Sequence, residues 1–130
     1  MSVPIENHFP PKRILLVEDD AAICYFLGLI LRKSGYMVSV AADGAAGLHL
    51  FHNQPWDLVI TDRMMPRMNG EALAIAIKKD SPAQAIILIT GFPRLVKHPE
   101  LFDAIFGKPF SIADLLAGIA KLLKDHARQS

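Results

Sequence analysis

Residues able to do chemistry stand directly after short apolar runs in this chain. Glu18, Asp19 and Asp20 follow the run Arg13 to Val17, Asp62 follows Asp57 to Thr61, Thr90 follows Ala85 to Ile89, and Lys108 lies just beyond Ala104 to Phe106. If these runs are neighbouring parallel strands, the polar residues converge at one edge of a sheet. Carboxylates gathered in one place repel each other at pH 7, and oxygen-only ligands with room for water suit a hard divalent cation such as Mg2+. With that cation and the Lys108 ammonium offsetting charge, the Asp62 carboxylate is equipped to take a phosphoryl group through a metaphosphate-like transition state, and Thr90 to bond one of its oxygens. Acidic residues after a strand are often helix caps, and Asp20 reads as one, which leaves Glu18, Asp19 and Asp62 as the ligand set.

The elements that must position these residues are legible from periodicity and punctuation. Short apolar runs of this kind suit strands buried on both faces, with Tyr36 to Ala41 as a further strand. Ile23, Phe26, Leu27, Ile30 and Leu31 recur at helical spacing between Asp20 and Lys33, and Gly35 lies just past the end. Asp43-Gly44 opens a helix through Leu48 and Phe51 to about Asn53, before Pro55, and Asn69 caps another that carries Leu73 and Ile77. Two prolines between Gly91 and Glu100 leave room for only one or two helical turns there, so the fourth helix is expected to be short. Ser111 and Asp114 form a capping box before Ile112, Leu115, Leu116, Ile119, Leu122 and Leu123. Five strands alternating with helices predict an α/β domain: a doubly wound, five-stranded parallel sheet in the flavodoxin-like order 2-1-3-4-5. The expected limits are a flexible lead-in over 1–11, the domain over 12–126 and a tail over 127–130.

Composition narrows the function. The 130 residues suffice for one domain, and 52% are apolar. A formal net charge of +1, from 14 basic and 13 acidic side chains, provides no footprint for nucleic acid or an anionic membrane. Nothing near the start reads as a signal peptide and no apolar run spans a bilayer, so a cytoplasmic location is expected. The single cysteine, Cys24, falls in a helical apolar stretch and reads as a small hydrophobe. His49 and His52 lie three apart on one helix, but without acidic or cysteine companions nearby they read as surface histidines. The side chains of Met64, Met65 and Met68 read as loop filler and not as ligands, and Trp56 lies a strand length from Asp62.

The segments Ile14-Leu-Leu-Val-Glu-Asp-Asp20, Asp57-Leu-Val-Ile-Thr-Asp-Arg-Met-Met-Pro-Arg-Met-Asn-Gly70, Ile87-Leu-Ile-Thr-Gly91 and Lys108-Pro-Phe110 occur in an order that resembles the response regulator receiver family. The resemblance runs from about Lys12 to Asp125. It implies a two-component phosphorelay switch: Asp62 as phosphoacceptor, Asp19 as a direct Mg2+ ligand, Glu18 acting partly through water, and the Met64 backbone carbonyl as a further ligand, with Mn2+ as a substitute ion. It assigns Thr90 and Lys108 to the phosphoryl group and Pro66 and Gly70 to loop shape, and it implies a cis peptide before Pro109. The implied partners are a histidine kinase or histidine phosphotransfer protein as donor and a downstream protein as target. Sequence leaves the oligomeric state open. The implied role is a switch that takes part in its own phosphorylation and hydrolysis, not a metabolic enzyme.

Two features depart from the family pattern. Ile105 stands where an aromatic switch residue is usual, and the interval from Thr90 to Lys108 is short, which counts against output through the face formed by the fourth helix, last strand and last helix. The first helix carries a second apolar set, Cys24, Tyr25, Gly28 and Leu29, beside its inward stripe. Scattered exposed apolar residues are common, but Tyr25 and Leu29 also suit a docking surface for the donor's helical bundle or a second subunit. Large side chains at Met64 and Phe92 predict a long-lived phosphoryl group by crowding an attacking water. The alternative function is a pseudo-receiver, a docking adaptor that is never phosphorylated. A phosphatase resembling the haloacid dehalogenase family would need an acid where Met64 stands, and a flavin domain would not place carboxylates against the FMN phosphate.

Overall fold

The computed structural model describes residues 10–129, with side chains described through Lys124. Its elements run β1 (Arg13–Val17), α1 (Ala21–Lys33), β2 (Met37–Ala41), α2 (Gly44–Asn53), β3 (Leu58–Asp62), α3 (Gly70–Asp80), β4 (Ile86–Thr90), β5 (Ala104–Gly107) and α4 (Ile112–Gln129). The strands form one parallel sheet in the order β2-β1-β3-β4-β5, as the alternation of elements predicts. Strand starts fall one residue later than expected at β2, β3 and β4; β3 runs on to Asp62, which is the last residue of its strand and not the first beyond it, and Thr90 ends β4.

Successive side chains of a strand point to opposite faces, and the core divides accordingly. Ile14, Leu16, Leu58, Ile60, Ile87 and Ile89 pack with Leu27 and Leu31 of α1 and Leu115, Ile119 and Leu123 of α4. Leu15, Val17, Val59 and Ile86 pack on the other face with Phe51 of α2 and Leu73, Ala74 and Ile77 of α3. Burial on both faces explains why β1, β3 and β4 read as unbroken apolar runs, and each fully buried Leu or Ile contributes about 1.5–3 kcal/mol. Asp20, Asp43 and Asn69 cap α1, α2 and α3 through the amides of Ile23, Ala46 and Ala72. Ser111 Oγ accepts the Asp114 amide at the start of α4.

The one or two helical turns expected between β4 and β5 are two 3-10 turns, Pro93–Leu95 and Pro99–Leu101, each beginning at a proline. Proline disfavours helical geometry in the residue before it, so two prolines six apart leave no α-helical stretch between them. Phe26, expected on the inward stripe of α1, is 52% exposed, while Gly28 is buried against β2. The helix therefore turns Leu27 and Leu31 inward as expected, but with Gly28 beside them in place of Phe26. The residues expected as a tail are helical to Gln129, because 125–129 contain neither glycine nor proline to end α4. Most of the expected lead-in, residues 1–9, lies outside the described residues. No helix among the described residues is long and apolar enough to cross a membrane.

Candidate functional site

β1 and β3 are adjacent strands at the point where the chain order reverses, so residues at and just past their carboxyl ends face a common crevice. Glu18 is held there by its amide, which donates to the Ala41 carbonyl (3.0 Å), and its carboxylate accepts the Asp20 amide (3.0 Å). Asp19 is exposed, whereas Glu18 and Asp62 are 3% and 7% exposed. One oxygen from each of Glu18, Asp19 and Asp62 lies within 4.8 Å of the other two. Lys108 reaches in from beyond β5, with Nζ 2.8 Å from Asp62 Oδ1 and 3.7 Å from Glu18 Oε1. The peptide between Lys108 and Pro109 is cis, as expected, and the Lys108 amide donates to the Thr90 carbonyl (2.8 Å).

The electrostatics follow from this packing. Burial, added to the charge of Asp62, pushes the Glu18 carboxyl up to about 7 against the lowering effect of the Asp20 amide and Lys108. Burial also acts to lower the Lys108 ammonium, but its hydrogen bond and attraction to Asp62, with the charge of Glu18, outweigh that and raise it above the ordinary lysine value. Three carboxylates facing one ammonium leave an excess of negative charge in a partly dry crevice. A set of oxygen ligands this close fits a hard divalent cation, with Glu18, Asp19 and Asp62 as the side chains to hold it.

Other residues singled out by sequence take definite places. Thr90 is 1% exposed at the end of β4, and its Oγ1 accepts the Phe92 amide (3.0 Å). Met64 lies two residues past Asp62 with an exposed side chain, and Phe92 is also exposed. Pro66 lies in the same loop, where Arg67 has a positive φ of 69° and pairs with Asp43 (3.1 Å). At Gly70 a Cβ would strike the Asp62 carbonyl oxygen, which explains the need for glycine. Ile105 is half-buried in β5, paired with Leu88. Tyr25 and Leu29 are exposed on α1, next to Phe26. Cys24 is half-buried against the core, and burial pushes its thiol up, away from a reactive thiolate. His49 and His52 do not gather acidic ligands into a cluster: His52 pairs with Asp80 (2.9 Å), and the metal-competent cluster among the described residues is that of Glu18, Asp19 and Asp62. Trp56 is buried before β3, with its indole donating to the Leu50 carbonyl.

Sequence reasoning missed one arrangement. Arg63, the residue after Asp62, pairs through Nε with Glu71 (3.2 Å), and both side chains are largely buried. Glu71 also accepts the amides of Lys97 (2.7 Å) and His98 (2.9 Å). Burial acts to raise its carboxyl, but these bonds and Arg63 hold it below the usual range. In sequence Glu71 is an acidic residue in the first turn of a helix, a pattern already explained by the helix dipole, and nothing marks it as buried.

Comparison with known proteins agrees with the fold. The family described as the response regulator receiver domain matches residues 14–120. The response regulator receiver protein CpdR of Brucella abortus (strain 2308) is 38% identical over 117 residues, 86% of this chain and 97% of that protein. Several other curated relatives, described as transcriptional regulators, are matched over between 20% and 51% of their own length. A response regulator receiver domain protein (CheY-like) from Methanospirillum hungatei JF-1 superposes with a TM-score of 0.88 at 33% identity, covering 92% of this chain and 99% of that one. The response regulator TrrA of Thermotoga maritima, solved in complex with Mg2+-BeF, gives 0.81 at 33% identity over 85% of this chain and 98% of its own. TrrA has also been solved in complex with the histidine kinase ThkA. The family match over residues 14–120, a relative 38% identical over nearly its whole length and a five-stranded sheet in this order leave one conclusion: the chain belongs to the response regulator receiver domain family.

Proposed function

We propose that Asp62 accepts a phosphoryl group from a phosphohistidine of a histidine kinase or histidine phosphotransfer protein, and that the acyl phosphate shifts the chain to a conformation that controls a partner protein. In the transfer the P–N bond of the donor breaks as a P–O bond to an Asp62 oxygen forms, and the imidazole leaves with the electron pair and takes up a proton. The observation that carries this reading is the 2.8 Å approach of Lys108 to an Asp62 carboxylate that is only 7% exposed and clustered with two further acids. Glu18, Asp19, Asp62 and the Met64 carbonyl would hold Mg2+, for which Mn2+ would substitute. When bound, the ion supplies the positive charge that lets an anionic phosphoryl group approach an anionic nucleophile. Lys108 holds Asp62 in place and offsets charge on the transferring oxygens, and Thr90 bonds one of them. The kinase complex and the Mg2+-BeF complex of the relative TrrA support the donor class and the ion.

The test is intact mass after incubation with Mg2+ and acetyl phosphate, with Asp62→Asn and a metal-free sample alongside. One added phosphoryl group that needs both Mg2+ and Asp62 is expected. No adduct, with phosphohistidine donors also inactive, would leave the second reading, a docking adaptor, which Ile105 and the loss of a helix between β4 and β5 favour.

A further inference from the structure

The stretch between β4 and β5 contains two isolated 3-10 turns, with no buried residue in either and no side-chain cap on either. A segment with so few hydrogen bonds of its own has to be held from outside. Leu101 and Phe102 pack on the core at its far end. Nearer the site, three side chains hold it. Thr90 Oγ1 accepts the Phe92 amide (3.0 Å), Arg63 donates to the Leu95 carbonyl (3.2 Å), and Glu71 Oε1 accepts the amides of Lys97 and His98. The other Glu71 oxygen accepts Arg63 Nε. Arg63 follows the proposed phosphoacceptor directly, and its backbone is fixed at both groups: its amide donates to Ile89 (2.9 Å) and its carbonyl accepts from Gly70 (2.8 Å). The attachments of the segment therefore begin at the end of the strand that carries Asp62 and at the end of its neighbour.

We propose that Arg63 and Glu71 form a latch holding residues 92–98 against α3, and that phosphorylation of Asp62 opens it by drawing the Thr90 hydroxyl away from the Phe92 amide. The inference rests on the receiver reading given above. With Ile at position 105, no aromatic ring is present there to follow Thr90, and the element free to take a second position is the segment that Thr90 itself holds. Once its Thr90 end is released, the part of the segment nearer the site is held only by Arg63 and Glu71, whose bonds to Leu95, Lys97 and His98 require it to lie close to α3 and break as it moves away. Coupling of this kind is reciprocal: a variant that opens the latch without phosphate must bind a phosphoryl analogue more tightly.

The experiment is hydrogen exchange at the amides of Lys97 and His98, with and without Mg2+ and beryllofluoride, together with a beryllofluoride titration. In the wild-type chain the ligand is expected to speed exchange at both amides roughly tenfold or more. Glu71→Leu, which leaves no acceptor for the two amides, is expected to exchange fast there without ligand and to bind beryllofluoride roughly fivefold more tightly. Arg63→Met, which removes the bonds to Leu95 and Glu71, should show the same pair of changes and serves if Glu71→Leu does not fold. Unchanged exchange at 97 and 98 in protein that does bind beryllofluoride, or variants with unchanged affinity for it, would overturn the latch while leaving the receiver reading intact. Failure of the wild-type chain both to bind beryllofluoride and to form an Asp62 adduct would overturn the receiver reading and the latch with it.

Discussion

Lys108 Nζ lies 2.8 Å from Asp62 Oδ1, although the two residues belong to strand ends separated by the whole of β4. The contact makes Lys108 the cation that balances a nearly buried carboxylate. Lys108→Ala should cost about 1.5–3 kcal/mol in metal-free protein, the range for a hydrogen bond to a charged group. Urea unfolding with and without Mg2+ checks this, with the ion recovering part of the loss. A variant as stable as wild type without metal would show that the pair contributes nothing.

Stability of the metal-free protein should fall as pH rises from about 4.5 to 7. The Glu18 carboxyl is raised to about 7 in the folded state from an ordinary 4.5, so the folded chain binds more protons than the unfolded one across that window. Below it both states are protonated and no penalty exists; above it the penalty is complete, on the order of a few kcal/mol. Glu18→Gln should flatten the slope, and a slope unchanged in that variant would assign it to another group.

Gly70→Ala should destabilise the chain by about 1–3 kcal/mol, because the added methyl meets the Asp62 carbonyl oxygen, a backbone atom that cannot swing aside. Phosphorylation from acetyl phosphate should slow as well, since relief of the clash displaces Asp62. Thermal unfolding and the rate of adduct formation test the two effects separately.

Tyr25, Phe26 and Leu29 leave an apolar exposed face on α1, close to a cleft lined by Phe26, Lys108, Pro109 and Phe110. If this face receives the phosphohistidine donor, Tyr25→Glu with Leu29→Glu should lower transfer from that donor roughly tenfold or more, the effect of losing a central apolar anchor. Labelling by acetyl phosphate, which needs no docking, should stay as in wild type. Equal losses with both donors would point to damage at the site itself.

The exposed Met64 and Phe92 side chains flank the strand ends that carry Asp62 and Thr90. Replacing Phe92 with Ala should shorten the lifetime of the acyl phosphate severalfold by opening a path for water. Phosphorylated protein followed by mass over time gives the answer, and an unchanged decay would remove Phe92 from any role in water access.

Strand and helix positions, the sheet order and the convergence of Glu18, Asp19, Asp62 and Lys108 were all legible in the sequence. Local patterning carries that information: unbroken apolar runs mark doubly covered strands, Asp20, Asp43 and Asn69 mark helix starts, and a parallel βα alternation admits few topologies. Tertiary structure alone decided how far α1 rotates, which exposes Phe26 and buries Gly28, because apolar spacing on that helix fits more than one stripe. The two prolines announced a β4–β5 connection of one or two turns, but only the tertiary structure set Glu71 to hold it. A buried carboxylate bonded to amides 26 and 27 residues away has no local signature, since its partners are backbone groups that every residue carries.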